Sequence, residues 1–489
     1  MKKLFEKHDL FKLAGIFVLI TVLMSWFIPY SYYQNGTIYG INGPFKWSAN
    51  MDYKHVVGLF DWSSYSLLGF WYFTALFMFI IVVAGLYKFL SSTVAYQALT
   101  DKLANVFKGK EKVLVAISTL LFAMFAGVAT DPFITLIFIP FVIAVFSKLK
   151  TDKLTALSST FGGVLVGIFG ATYSTNIVGS LVDSTYGLGS ANVQIGFERA
   201  AVIVLFVVAY LLITYFAISR LSKKDTPVED IFAEEVKTTK KAKAVRVSIA
   251  PMAIFLSLLF VIAILAYIPW SNSFGISFFS DLYNDIIEYK VQHIAFLRKT
   301  PIFDFILGES FKAFGDLDLL AICAYIFVFI LIVKIIYHIP FDKIIDSFGE
   351  GIKKVGKSLV VLIIVYTVLE FSILYPTIPA VVSAILGLGN NLFTLFVSGL
   401  YTNLFTVDFQ YTVTMVGSAF ATFKDANVAA LILQATNGII KFFAPTSAIL
   451  MFGLSMLDIK YKDYFKYIWK FLLAITVITL IVLAILVYA

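Results

Sequence analysis

Between Lys112 and Lys148 the chain runs for 35 residues with a single charge, Asp131, and a proline directly after it, in "FAGVATDPFITLIFIPF". Few features constrain a fold more. A carboxylate is costly in hydrocarbon, and proline removes a backbone donor and breaks a helix. Both ends of the run carry lysines: Lys102, Lys108, Lys110 and Lys112 before it, and Lys148, Lys150 and Lys153 after it. One crossing would put one lysine group on the outer side, against the positive-inside rule. Two half-length segments that meet at "GVATDP" keep both groups inside. The pattern predicts a re-entrant hairpin over 113–147 with Asp131 at its tip; two full crossings are the alternative.

The rest of the chain supplies the setting. Of 489 residues, 60% are hydrophobic and 14% charged, where a soluble domain carries about 25% charged. The chain is therefore expected to be an all-α polytopic membrane protein embedded in a lipid bilayer. The net charge of +8 sits in short loops and flanks. No basic patch alternates with stacking aromatics, which excludes nucleic acid as an expected partner. Cys323 is the one cysteine, the four histidines are scattered, and neither an HExxH spacing nor a phosphate loop occurs. Thus no metal, no cofactor, no ATP-driven pump and no enzymatic activity are expected. An ion channel would need a repeated filter motif, and none appears.

Apolar length and lysine position give the order of segments. Leu10–Tyr30 and Ser66–Leu90 cross the membrane, and the hairpin follows. A span over 154–182 is interrupted at "GATYSTNIVGS", and Arg199–Ser219 returns. This first repeat covers 1–219. The charged stretch 220–246 reads as a cytoplasmic linker, and 247–316 as one connecting span with an external segment. The second repeat covers 317–489. It has a span at 317–338, an amphipathic surface helix over 340–357 with Ile344, Ile345, Phe348 and Ile352 on one face, and a span at 358–374. A second hairpin over 392–423, a broken span over 427–456 and a last span follow. The order of the first half recurs, starting from the opposite side. Two inverted repeats, about nine spans and two re-entrant hairpins result, with the N-terminus cytoplasmic and the C-terminus external. Inverted repeats with paired broken helices are a pattern of secondary transporters in the cell membrane.

The breaks correspond in pairs. The tips "VATDPFITL" and "FTVDFQYTV" offer Thr130 and Asp131 in one, Asp408 and Gln410 in the other. The interrupted spans offer Ser174, Thr175 and Asn176 in "ATYSTNIVG", then Asn437, Lys441, Thr446 and Ser447 in "QATNGIIKFFAPTS". Helix breaks expose N–H and C=O groups, and half-helix ends carry partial charges. Together these residues suit a small-molecule solute. Structural pairing or loop exposure is the alternative for the two aspartates. Snorkelling is the alternative for Lys441, and a place among outer headgroups for Glu370. Two carboxylates favour a solute with an amino group, and Lys441 with the hydroxyls suits a carboxylate. The expected function is secondary transport of a small amino acid, basic ones included, with dicarboxylates or short-chain carboxylates as the alternative.

The stretch "LQATNGIIKFFAPTSAILMFGLSMLDIKYKDYFKYIWKF" carries a resemblance. Gln434, Gly438, Ala444-Pro445-Thr446-Ser447 and Trp469-Lys470-Phe471 are similar to elements of the C4-dicarboxylate anaerobic carrier family, in its YfcC-like branch. That branch includes arginine/ornithine antiporters. "FKGKEKVLV" from Phe107 resembles the family's segment before hairpin one. The resemblance implies an elevator carrier that is a homodimer, with binding roles for Thr175-Asn176 and Thr446-Ser447. The chain departs from the family in three places. A lone Asp131 stands for a frequent acidic pair, Lys441 stands for a frequent Asn, and Thr367 aligns with the arginine carriers' Arg. In sodium-coupled relatives of the superfamily the broken-helix loops hold the cation. A fixed Lys441 ammonium there implies sodium-independent transport, by exchange or proton coupling.

Overall fold

Among the residues described by the computed structural model (9–28, 30–34, 37–42, 57–58, 60–182, 188, 197–223, 226–233, 248–289, 301–308 and 311–488), eight helices are long and apolar enough to cross a membrane. Seven are the expected unbroken spans: Asp9–Phe27, Thr74–Ser91, Phe197–Ser219, Ala250–Tyr267, Leu319–Ile336, Phe341–Leu374 and Tyr461–Tyr488. The eighth, Glu111–Val128, is the first leg of hairpin one. A two-stranded antiparallel ribbon, Tyr30–Gln34 with Thr37–Asn42, follows the first helix. Residues 1–8, on whose lysines Lys2, Lys3 and Lys7 a cytoplasmic N-terminus rests, and most of the 220–246 linker lie outside the described residues.

The segment expected to form hairpin one consists of two helices that meet at Asp131, the first of them, Glu111–Val128, of full spanning length. Its second leg starts as a 3-10 turn, Pro132–Ile137, and continues as Ile139–Lys148. The ends of the two legs lie on one side of the bundle, because Lys148 Nζ pairs with Asp101 Oδ1 at 2.8 Å, one helix before the first leg. The legs are splayed. The second leg packs on Val94–Phe107 rather than along the first. Hairpin two, Leu392–Phe405 and Phe409–Phe420, is closed at its base by Asn390 Nδ2, which donates to the Thr422 carbonyl at 3.1 Å.

In both halves the first leg of the hairpin packs on the first helix of the broken span. Glycine makes the approach close in each case. A Cβ on Gly167 of helix Phe161–Phe169 would lie 2.4 Å from the Ala123 carbonyl oxygen. A Cβ on Gly399 of hairpin two would lie 2.4 Å from Thr436 Oγ1. Small residues let backbones touch where lipid provides no hydrophobic drive between helices. The two halves then lock together: Gln434 Nε2 donates to the Ala171 carbonyl at 2.7 Å, and Gly438 lies against Phe169.

A second group of helices surrounds Thr74–Ser91, which packs on Leu319–Ile336 and on the 34-residue helix Phe341–Leu374. That long helix corrects the expected surface helix over 340–357. It is continuous with the span, and it buries Ile344, Ser347, Gly351 and Val355 while Ile345 and Ile352 stay exposed. The reason is local. Gly351 brings the backbone against Ala84, and Glu350 pairs with the otherwise buried Lys88 at 3.0 Å. Glu370 is a second correction. It is buried rather than facing headgroups, because Gly69 leaves room for its side chain, with an added Cβ only 3.2 Å from Glu370 Cγ.

The described part of the linker, 226–233, is docked rather than loose. Lys153 N–H donates to the Thr226 carbonyl, Val228 N–H to the Thr151 carbonyl, and Ser91 Oγ to the Phe232 carbonyl. Phe232 is buried against Tyr87, between Thr74–Ser91 and hairpin one.

Overpacking a core costs about 1–3 kcal/mol. Gly167→Ala is therefore expected to lower the melting temperature in detergent. Gly356→Ala, with no atom within 4 Å of its added Cβ, is expected to leave the melting temperature unchanged or raise it. Equal melting of Gly167→Ala and the wild type would contradict the close helix contact.

Candidate solute-binding site

The two hairpin tips meet at a cavity of about 390 Å³ between the hairpin and broken-span unit and the helices around Thr74–Ser91. Each tip is built the same way. Asp131 is the N-cap of Pro132–Ile137, and its Oδ1 accepts from Phe133 N–H at 2.8 Å. Asp408 is the N-cap of Phe409–Phe420, and its Oδ1 accepts from Gln410 N–H at 2.8 Å. Capping satisfies helix donors that have no partner within the helix. The second carboxylate oxygens differ. Asp408 Oδ2 accepts from Asn176 Nδ2 at 3.3 Å, which joins hairpin two to the first broken span. The Asp131 carboxylate makes no further hydrogen bond among the described residues and lines the cavity.

Lys441 does not snorkel. It is 6% exposed, and its Nζ donates to the carbonyls of Thr406 and Val407, both at 2.8 Å. Thr446 Oγ1 donates to the Leu404 carbonyl at 2.9 Å. Both residues of the second broken span therefore satisfy carbonyls at the C-terminal end of hairpin two's first leg. An ammonium has three donors. Two of those on Lys441 are used here, and the residue lines the cavity.

Several polar groups on the cavity wall have no partner. Eight buried side-chain polar atoms among the described residues lack a hydrogen bond, and three of them belong to cavity residues: Asn437 Oδ1, Ser447 Oγ and Tyr267 Oη. Buried polar groups are normally paired, so unpaired ones on a cavity wall point to a polar ligand. Ser447, Ala448 and Ile449 bring the N-terminus of helix Ala448–Met456 to the same wall, with no side-chain cap on it. That end offers free N–H groups and a partial positive charge.

Of the residues expected from sequence, Thr130, Asp131, Asn176, Asp408, Asn437, Lys441 and Ser447 line the cavity together. Four lie elsewhere. Ser174 and Thr446 are buried behind the wall, and Thr175 and Gln410 are exposed away from it. A π-helical turn at Thr175–Gly179 explains the split between Thr175 and Asn176, because it carries Asn176 and Ile177 inward. The cavity also contains residues the sequence reading missed. Tyr267 ends the connecting span, Tyr366 lies in the long helix, and Tyr72 and Phe73 join the helices Asp61–Tyr72 and Thr74–Ser91. Asp318 lies at the edge, paired with Lys312.

The family model described as C4-dicarboxylate anaerobic carrier matches residues 8–488. No curated protein matches the chain. Among solved structures, the chain is similar to Neisseria gonorrhoeae MtrF, reported with a class of antimetabolite efflux pumps, at 13% identity and a TM-score of 0.38, covering 98% of this chain and 96% of that one. It is also similar to the Alcanivorax borkumensis YdaH transporter, at 11% identity and a TM-score of 0.40, covering 98% of both. The eight spanning helices agree with a multi-pass membrane transporter for a small solute, not an enzyme, and the chain belongs to the C4-dicarboxylate anaerobic carrier family.

Proposed function

We propose that the protein is a secondary carrier of a small amino acid with an amino group to spare, basic amino acids included. It works by exchange or proton coupling, in the YfcC-like manner. The observation that carries this is the charge of the cavity. Asp131 and Asp408 face it with one ammonium, Lys441, which is already shared between two carbonyls. Asp131 is left as the group with an unused oxygen, in reach of a solute ammonium. On the other wall Ser447 and the uncapped helix end suit the α-carboxylate. A zwitterion satisfies both walls, and a second cationic group answers the second aspartate.

A carboxylate solute is the second reading. The free helix end and the remaining Lys441 proton favour it. A dicarboxylate would meet two aspartates with a single cation to offset them, which ranks it second.

The placement of the cavity supports an elevator. Both hairpins and both broken spans form one interlocked unit, and the cavity lies where that unit faces the aromatic wall of Tyr72, Phe73 and Tyr366. A homodimer with a cytoplasmic N-terminus completes the proposal; the lysine-rich end of the bundle, around Lys102–Lys112 and Lys148, is then the cytoplasmic side.

Proteoliposome counterflow separates the readings. Arginine, ornithine, lysine and neutral amino acids are expected to exchange with their labelled counterparts. Asp131→Asn is expected to weaken solute binding about tenfold to a hundredfold, the cost of losing one charged hydrogen bond. Exchange of dicarboxylates alone, unaffected by Asp131→Asn, would overturn the amino-acid reading in favour of the second.

Sodium gives a separate test. Wild-type melting temperature and exchange are expected to be the same in sodium and in choline buffers, because Lys441 already fills the carbonyl cradle. Lys441→Ala strands two carbonyls, at about 1–3 kcal/mol each, and sodium is expected to restore part of that loss. Sodium-dependent exchange by the wild type would exclude the built-in ammonium.

A further inference from the structure

A second cavity lies between the legs of hairpin one, and it has a different character. It measures about 600 Å³ and is lined almost entirely by apolar side chains. The first leg contributes Leu114 through Val128, the second leg Phe138 through Val145, and the sides are closed by Phe107 and Phe260. The single hydroxyl on its wall, Ser118, is spent within its own helix on the carbonyls of Leu114 and Val115. The cleft therefore offers nothing to a polar ligand. It exists because the second leg packs on Val94–Phe107 and leaves the first leg's inner side unfilled. It also opens outward: Ile117, Leu121 and Met124 on its rim are 44%, 62% and 55% exposed.

Its length and its charged end identify the occupant. From Leu114 to Val128 a helix rises about 21 Å. One leaflet supplies about 15 Å of hydrocarbon, so the cleft accepts one acyl chain from end to end. At the Leu114 and Phe107 end lie Lys108, Lys110 and Lys112, all exposed and without an ion-pair partner among the described residues. Nearby acids are already engaged. Asp101 pairs with Lys148, and Glu111 Oε1 accepts from Gly109 N–H at 2.9 Å. A positive rim on one end of a dry, chain-length cleft fits an anionic amphiphile. Juxtamembrane lysine clusters attract anionic headgroups by the same electrostatics.

We propose that the cleft in hairpin one is a binding site for an anionic phospholipid, with one acyl chain between the legs and its phosphate on Lys108, Lys110 and Lys112. The site is separate from the solute cavity and does not depend on which solute is carried. The lipid fills the gap that opens between the two legs beyond their contact at Phe125 and Phe138, so it stabilises the hairpin whose tip carries Asp131.

The test uses the full-length protein, stripped of lipid in detergent and titrated with dioleoyl phosphatidylglycerol or dioleoyl phosphatidylcholine. Binding is read by native mass spectrometry and by melting temperature. Phosphatidylglycerol is expected to bind more tightly and to raise the melting temperature more. Each lysine replaced by Gln is expected to weaken phosphatidylglycerol by about fivefold and to leave phosphatidylcholine unchanged. Leu121→Trp, which blocks the mouth of the cleft, is expected to weaken both lipids. Equal affinity of the wild type for the two lipids would overturn the proposal without any variant. So would retention of the phosphatidylglycerol preference in K108Q/K110Q/K112Q, or tight binding in Leu121→Trp. If the triple variant fails to fold, Lys110→Gln alone carries the same expectation.

Discussion

A backbone group in hydrocarbon has no water to bond, so every interruption of a membrane helix has to be answered from inside the protein. The architecture of this chain follows from how it answers four interruptions placed around one cavity. The tips of both hairpins are capped by an aspartate on the following helix. The break after Phe169 is answered by Gln434, which bonds the Ala171 carbonyl, and by Gly127, whose carbonyl accepts from Thr172 N–H. The break after Lys441 is answered from the last helix, where the hydroxyls of Tyr464 and Tyr461 donate to the carbonyls of Phe442 and Phe443. Each answer comes from a different element. The interruptions therefore hold the unit together as much as its apolar packing does.

The two halves solve the same problem with different chemistry. In the first, the end of hairpin one's leading leg is satisfied by backbone: the Gly127 carbonyl takes Thr172 N–H, and Thr130 N–H reaches the Tyr267 carbonyl at 2.8 Å. In the second, the corresponding carbonyls are satisfied by a side-chain ammonium and a hydroxyl, Lys441 and Thr446. A backbone N–H cannot leave its place, whereas an ammonium is also a charge. The second half thus adds a positive charge beside Asp408 where the first half adds none beside Asp131. The asymmetry of the cavity, with an ammonium near one carboxylate only, starts from that one substitution of donor type.

Much of this was legible in the sequence because a charge or a proline inside an apolar run has few structural explanations. Asp131, Asp408 and the two polar breaks could be paired by their order alone. The contents of the wall were less legible. Tyr267, Tyr366 and Tyr72 carry no signal in a chain where aromatics make up 17% of residues. Lys441 and Glu370 were ambiguous for a physical reason. A long charged side chain near a helix end can reach the interface or turn inward, and the choice depends on what faces it. For Glu370 that is Gly69, 301 positions away in the chain. For Lys441 it is the frayed end of another helix. The amphipathic stretch before Ser358 misled for the same reason: Gly351 brings it against the backbone at Ala84, and Lys88 pairs with its Glu350, so the partner surface lies on another helix.

The glycine contacts bear on what can move. Gly167 on Ala123 and Gly399 on Thr436 bring each hairpin to backbone contact with its broken span, and Gly438 on Phe169 does the same between the halves. Contacts this close leave no side chains to slide over one another, so the four elements behave as one body. The opposite wall of the cavity is aromatic and offers few bonds to break. Phe73 and Tyr366 pack with ring centroids 4.1 Å apart and planes tilted by 31° within that wall, so the hairpin unit faces aromatic rings there. The proposed elevator, which would carry a rigid site past a fixed wall, needs this division: hydrogen bonds and glycine inside the hairpin unit, and apolar surface over much of its contact with the neighbouring helices. Bonds nevertheless cross between the two groups: Ser372 Oγ donates to the Phe405 carbonyl beside the tip of hairpin two, Ser358 Oγ bonds Ser455 Oγ, and others lie at the lysine-rich end. There Tyr87 Oη bonds the Ile137 carbonyl, and the segment around Phe232 bridges Ser91 to Thr151. These bonds cross from one group of helices to the other. In the proposed elevator a displacement of the hairpin unit has to break all of these bonds, so the resistance to movement is spread along the unit, from the lysine-rich end to the tip of hairpin two.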